Sequence, residues 1–219
     1  MSKYYWLLDP GHGGIIDGVY QTSGKRSPIW EDGTQLFEGE FTRDIVSRIQ
    51  MKLNELNIDN QDIVNSDKDI SLKRRVGIAN SIHSRKRNCI YVSVHANAFK
   101  KNKGKGWEVW TSRGETKSDE YATFFFDAMK EEFSDYNTWR VDTSDGDVDK
   151  ESNFYVLKNT SMPALLTENF FMTHWDDYKI ISSEEGRQKI ADAHVNAIMK
   201  IEGVGDYNTN LPYKCDYTE

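Results

Sequence analysis

Cys89-Ile-Tyr-Val-Ser-Val-His-Ala96 is a short apolar run, rich in β-branched residues and ending in a histidine. Such a run reads as a strand. Ile90, Val92 and Val94 alternate with Tyr91, Ser93 and His95, so the aliphatic set takes one face and the histidine sits on the other, at the strand's end. On its N-terminal side, Ser71 to Arg87 has Leu72, Val76, Ala79 and Ile82 at helical spacing. Strand preceded by helix sets the pattern for the rest of the chain.

The same alternation extends in both directions. Tyr4 to Asp9 reads as a first strand, Glu40 to Asn57 as an amphipathic helix (Phe41, Ile45, Ile49, Leu53, Leu56), and Gln61 to Asn65 as a short strand. Beyond the central strand, Trp107 to Thr111 reads as a strand and Tyr121 to Phe133 as a helix. Phe154 to Leu157 and Ala164 to Glu168 read as strands, and Glu184 to Ile201 as a closing helix. Alternating elements of this kind predict an α/β fold: a single domain with a twisted, mostly parallel central sheet flanked by helices. The domain is expected over residues 1–202, with a polar, turn-rich tail over 203–219. There is no internal repeat.

Composition narrows the function. At 219 residues, with 37% hydrophobic and 29% charged residues, the chain is long enough and apolar enough to fold around its own core. A net charge of −7 argues against nucleic acid as the main partner. No stretch approaches the ~20 apolar residues of a membrane span, so no membrane insertion is expected. Two cysteines, Cys89 and Cys215, make no disulfide framework, and Cys89 reads as a small buried residue. No secretory signal is visible, which points to a chain made in the cytoplasm, or secreted if a leader has been removed.

Four segments carry chemistry. Asp9-Pro-Gly-His-Gly-Gly14 ends the first strand in a glycine-rich turn. It lacks the Gly-Lys-Ser/Thr of a phosphate loop, and Ile16 stands where a dinucleotide fingerprint needs its third glycine. What remains is His12 on a tight turn, open to close approach by a ligand or metal. His95 ends a second strand, and ligands of open parallel sheets bind at the carboxyl ends of strands. Glu168 ends an apolar strand, where a carboxylate is costly to bury without a partner and is placed to act as a general base. Glu38-Gly-Glu-Phe-Thr42 offers two carboxylates near a helix start. Glu40 suits the helix N-terminus, which leaves Glu38 for a metal. Two histidines, one carboxylate and an open position form a common catalytic zinc shell.

Together these segments resemble the zinc-dependent N-acetylmuramoyl-L-alanine amidases, the cell-wall type found in bacterial autolysins and phage endolysins. The resemblance rests on Leu-Asp-Pro-Gly-His-Gly-Gly, Glu-x-x-Phe-Thr, Ser-Val-His-Ala-Asn-Ala and Leu-Leu-Thr-Glu-Asn-Phe-Phe, in that order. The helix Ser71-Leu-Lys-Arg-Arg-Val-Gly-Ile-Ala-Asn80 supports it, and it spans residues 4 to 201. It implies that His12, Glu38 and His95 bind Zn2+ and that Glu168 is the catalytic carboxylate, with Glu40 as the alternative third ligand. It also implies that the substrate is peptidoglycan, cut at the amide between N-acetylmuramic acid and L-alanine. The chain is then expected to act as a monomer, as a phage or prophage lysin that reaches the wall after release. The alternatives are another zinc hydrolase, such as a stem-peptide carboxypeptidase, and a wall-binding module without catalysis. The chain departs from the family's pattern in an extended loop containing Trp30 and in His174.

The remaining features have plainer readings. Lys100 to Lys105 reads as a solvated loop. Asp142 to Glu151 is acidic but fails as an EF-hand starting at Asp145, with Lys150 in place of the glycine and Val156 at the last ligand position. Trp30, Trp107, Trp110 and Trp139 read mainly as packing residues. His83 and His194 read as structural, Arg75 as an ion-pair support for the site, and His174 as a candidate substrate contact.

Overall fold

The structure is a computed structural model, and it describes residues 2–205. In chain order the elements are β1 (Tyr5–Pro10), β2 (Ile15–Ile16), β3 (Val19–Tyr20), α1 (Glu38–Glu55), β4 (Asn60–Asp62), α2 (Leu72–Lys86) and β5 (Cys89–Asn97). There follow β6 (Glu108–Thr111), α3 (Lys117–Glu132), β7 (Lys150–Glu151), α4 (Tyr155–Asn159), β8 (Ala164–Phe171), α5 (Trp175–Ser182) and α6 (Glu184–Glu202). Six strands form one sheet in the order β4-β1-β5-β8-β6-β7. Only the β6–β8 pair is antiparallel. The predicted α/β architecture is therefore the observed one.

The two faces of the sheet are covered separately, as the alternation in β5 requires. Ile90, Val92 and Val94 join Trp6, Leu8 and Leu165 under α1, α3 and α6. Tyr91 and Cys89 join Leu7, Ala164 and Leu166 under α2 and α4, against Val76, Ala79, Ile82, Val156 and Leu157. Both faces of β1 and β5 are buried, which is why these strands are apolar along their length. Cys89 is buried as expected; the tail from residue 206 on, with Cys215, lies outside the described residues.

Several boundaries follow from capping. α2 starts after Ser71, whose hydroxyl accepts the Arg74 N–H. α3 begins at Lys117 rather than the expected Tyr121, because Thr116 and Asp119 form a capping box. α6 is capped by Ser183, which accepts the Gly186 N–H at 3.0 Å.

Five elements differ from expectation: α4, the strands β2 and β3, α5, and β7, the short edge strand that pairs with β6. Phe154–Leu157 was expected as a strand, but Tyr155, Val156 and Leu157 open the short helix α4, with Val156 and Leu157 buried. A four-residue apolar run has too little period to separate strand from buried helix. The β2–β3 hairpin turns through Asp17 (φ 51°) and Gly18 (φ 76°), a two-residue turn that needs left-handed backbone at both positions. α5 is held by the buried carboxylate of Asp177, which accepts the Gly106 N–H, the Phe171 N–H and the Tyr136 hydroxyl.

Candidate active site

The site is assembled at the carboxyl ends of β1, β5 and β8, where three neighbouring parallel strands stop. β1 ends in the glycine turn, which is fixed from several sides. Thr42 Oγ1 donates to the Gly11 carbonyl at 2.7 Å, and Arg43 and Arg75 donate to the His12 carbonyl at 3.1 and 2.9 Å. His12 itself is left-handed, at φ 66°. The glycines here are needed for close approach: a Cβ on Gly11 would lie 2.2 Å from the His95 ring, and one on Gly39 would lie 1.8 Å from the Gly13 carbonyl oxygen.

Beneath the turn, Asp9 is buried at 1% exposure. It accepts from Arg75 Nη1, from the Tyr91 hydroxyl and, at 2.9 Å, from Ser93 Oγ. Arg75 also donates to the Pro10 and Ile70 carbonyls at 2.7 and 2.8 Å. This is the ion-pair support expected of Arg75.

His12, Glu38 and His95 converge. Glu38, the first residue of α1 and 2% exposed, places Oε1 3.0 Å from His95 Nδ1 and 3.2 Å from His12 Nε2. The Ala96 N–H also donates to Oε1, at 3.3 Å. Three ligand atoms, one from each residue, lie within 4.8 Å of one another. Glu38 Oε2 and His12 Nε2 are buried with no hydrogen-bond partner. Glu40 points elsewhere: it is exposed, and its Oε1 accepts the Ile15 N–H at 2.8 Å, tying the β2–β3 hairpin to α1.

Glu168 stands opposite His95 in the β5–β8 ladder and opposite Glu108 in the β6–β8 ladder. Its Oε2 is buried without a partner. The strand end around it is set by a buried relay. Trp107 Nε1 donates to Asn169 Oδ1 at 3.0 Å, and Asn169 Nδ2 donates to the His95 carbonyl and to Thr167 Oγ1, each at 3.0 Å. Thr167 Oγ1 in turn meets His194 Nε2 at 3.0 Å. The β5–β8 register shifts past His95, where Phe170 takes φ 65°. Such a bulge re-aims the end of the strand.

The electrostatics are those of crowded, buried charge. Burial pushes the Glu168 carboxyl up, to about 8; the charges of Glu38 and Glu108 push the same way, and His95 and Lys25 oppose them. Burial would also raise Glu38, but the hydrogen bonds and charges of His12 and His95 outweigh it and hold the carboxyl well below its usual range. His95 is raised, because the hydrogen bond and charge of Glu38 overcome its burial. His12 is lowered, with burial the larger effect.

His12, Glu38, His95 and Glu168 line one cleft of about 360 Å3, together with Lys25, Asp69, Leu72, Phe154 and Tyr155. A second cleft of about 370 Å3 shares Asn97, Ala98, Phe154 and Glu168 with it and continues to Trp110, Arg140 and Lys150. His174 is not among the residues lining either cleft; it precedes α5 at the N-cap position. Trp107 is wholly buried, and His194 is a buried structural residue, as expected.

The sequence reading missed Glu108. It is 2% exposed, pairs with Arg140, and receives Lys150 Nζ at 3.4 Å. Its signal was present: Glu108 opens the apolar strand Glu108–Thr111, the same argument that singled out Glu168.

A mostly parallel sheet with two histidines and two carboxylates gathered at its strand ends is the build of an α/β enzyme domain. The chain belongs to the N-acetylmuramoyl-L-alanine amidase family, whose profile matches residues 7–200. It is 31% identical to the N-acetylmuramoyl-L-alanine amidase CwlM of Bacillus licheniformis over 196 residues, covering 89% of this chain and 67% of that one. It is 27% identical to the endolysin of Bacillus phage SPP1, covering 92% of this chain and 66% of that one. Among solved structures, the N-acetylmuramoyl-L-alanine amidase from Clostridium difficile 630 superposes with a TM-score of 0.69 at 27% identity, covering 91% of this chain and 97% of that one. The chain spans about a third to about two thirds of the length of the first curated relatives it matches.

Proposed function

We propose that this chain hydrolyses the amide between the lactyl group of N-acetylmuramic acid and L-alanine in peptidoglycan, using zinc held by His12, Glu38 and His95. The observation that carries the reading is the donor trio. Tetrahedral zinc with bonds of 2.0–2.1 Å has ligand-to-ligand edges of about 3.3 Å, and Glu38 Oε1 lies 3.0 and 3.2 Å from the two histidine nitrogens. Two imidazoles and a carboxylate suit zinc better than calcium or magnesium, which prefer all-oxygen shells. His12 Nε2 in that trio and the second oxygen of Glu38, Oε2, are buried without a hydrogen-bond donor or acceptor of their own, a deficit that a cation would satisfy.

When bound, zinc supplies Lewis acidity, which makes water more acidic and an amide carbonyl more electrophilic. The protein's own work is then positioning and proton transfer. Asp9 and Arg75 hold the turn that presents His12, and Asn169 holds the end of β5 that presents His95. With a cation's charge offsetting those of Glu38 and Glu108, Glu168 would ionise, take the proton of the attacking water at Oε2 and return it to the leaving alanine nitrogen. The two connected clefts give room on both sides of the scissile amide, one for the muramic acid and one for the stem peptide. Likeness to a phage endolysin supports a role as a phage or prophage lysin.

Mass spectrometry of products from defined muropeptides tests this. Stem peptides with a free N-terminal L-alanine are expected, lost on chelation and in Glu168→Gln. Release of a C-terminal residue instead would make the chain a carboxypeptidase, and no product from any muropeptide would make it a binding module.

A further inference from the structure

The second cleft carries more positive charge than its own structure needs. Glu108, 2% exposed, is a buried carboxylate that a single cation would neutralise. It has two: Arg140 Nε donates to its Oε1, and Lys150 Nζ lies 3.4 Å from its Oε2. One positive charge is left over on the cleft wall. Lys103 lines the same cleft and has no ion-pair partner among the described residues. In a chain of net charge −7 this is a local reversal of sign.

Both cations are held in place with donors to spare. The Arg140 N–H donates to the Trp107 carbonyl at 3.1 Å, which ties its backbone to the start of β6. Its guanidinium lies over the Phe171 ring, 5.3 Å from the centroid. Gly106 leaves room for the side chain, since a Cβ there would lie 3.1 Å from Arg140 Cγ. Lys150 Nζ lies 4.9 Å from the centroid of the Trp110 ring. Only Nε of Arg140 is engaged; Nη1 and Nη2 have no hydrogen-bond partner among the described residues. A guanidinium edge with two free N–H donors matches a carboxylate.

Strand register places these cations beside the chemistry. Glu108 and Glu168 face each other in the β6–β8 ladder, where opposed Cβ atoms lie about 4.5–5.5 Å apart. Glu168 and Phe154 line both clefts, so a stem peptide leading away from the amide at Glu168 enters the second cleft with its first residues. The second residue of a peptidoglycan stem is a glutamate joined through its side chain, and its α-carboxylate hangs free unless it has been amidated. We infer that Arg140 and Lys150 bind this free carboxylate, and that the chain selects stems in which it is not amidated. The inference rests on the amidase reading above.

The test compares two synthetic muropeptides that differ only in this group, carboxylate or carboxamide. The readout is kcat/KM for release of the stem peptide by the zinc-loaded protein. The carboxylate is expected to be preferred by about tenfold or more, with the preference shrinking at about 0.5 M salt. Calorimetric titration of the two released peptides into the protein should show the same order in Kd. In Arg140→Gln and Lys150→Gln the ratio of the two kcat/KM values should fall toward one, whatever the absolute rates. Equal kcat/KM for the two muropeptides in the wild type, or an undiminished ratio in both variants, would overturn the inference and leave the amidase reading intact. Release of stem peptide from neither would refute the amidase reading and this inference with it. If the variants do not fold, the wild-type ratio and its salt dependence decide.

Discussion

Gly39→Ala, beside Gly77→Ala as its control, separates the geometry of the site from ordinary helix propensity. Both glycines lie in helices, α1 and α2. A Cβ at Gly77 meets nothing within 4 Å, so alanine there should stabilise by about 1 kcal/mol through helix propensity alone. A Cβ at Gly39 would lie 1.8 Å from the Gly13 carbonyl oxygen and 2.7 Å from its carbon. Ordinary contact starts at 3.4 Å, so α1 and the glycine turn must separate by about 1.6 Å, the difference of those two distances. The obstacle is backbone on both sides, so no side chain can swing away to relieve it. Overpacking of this kind costs about 1–3 kcal/mol. For a domain of this size that lowers Tm by roughly 2–12 °C, while Gly77→Ala raises it by about 2–4 °C. The separation also moves Glu38, the neighbour of Gly39, away from His12 and His95. Zinc affinity, measured by competition with a chromophoric chelator, should fall at least about tenfold in Gly39→Ala and stay unchanged in Gly77→Ala. A Gly39→Ala protein with wild-type Tm and zinc affinity would refute the claim that α1 is locked against the turn to place Glu38.

Arg75→Met leaves Asp9 buried with only the Tyr91 and Ser93 hydroxyls as donors; urea unfolding should show a loss of about 3–5 kcal/mol. His194 is pulled down to about 4 by its burial, while in the unfolded chain an imidazole titrates at its ordinary value of about 6.5. The unfolded state therefore binds the extra proton as pH falls, and stability is lost between about 6.5 and 4. Between pH 7 and pH 5 the wild type should lose about 2 kcal/mol more than His194→Gln, read as the difference between their urea curves at the two pH values. Equal losses would show that the imidazole is not held neutral.

How far the site was legible depended on how local its cause was. His12 and His95 stood out because each lies at the end of a strand whose apolar pattern is self-evident, and because the glycines around His12 leave its turn open to close approach by a ligand or metal. Glu168 stood out as a carboxylate closing an apolar run. The choice between Glu38 and Glu40 was not local: the two lie on different faces of the first turn of α1, and only the docking of α1 on the turn brings Glu38 between the histidines. Asn169 was quoted as part of a motif, yet its work depends on Trp107, Thr167 and the His95 carbonyl, all distant in sequence. The fold followed the same rule. β1 and β5, buried on both faces, were found within one residue, but β8 runs three residues past the expected Glu168 to Phe171, and α4 was misread from a run too short to show a period. α5 escaped because Asp177, which anchors it, takes its donors from Gly106, Tyr136 and Phe171.

The central claim is that one zinc ion is held by His12, Glu38 and His95 next to Glu168. Anomalous scattering at the zinc absorption edge from crystals grown with zinc tests it directly. The expected result is one strong peak about 2.0–2.2 Å from a nitrogen of each histidine and an oxygen of Glu38, with Glu40 and Glu168 outside bonding distance. A peak ligated by Glu40, or no peak between the two histidines, would contradict it.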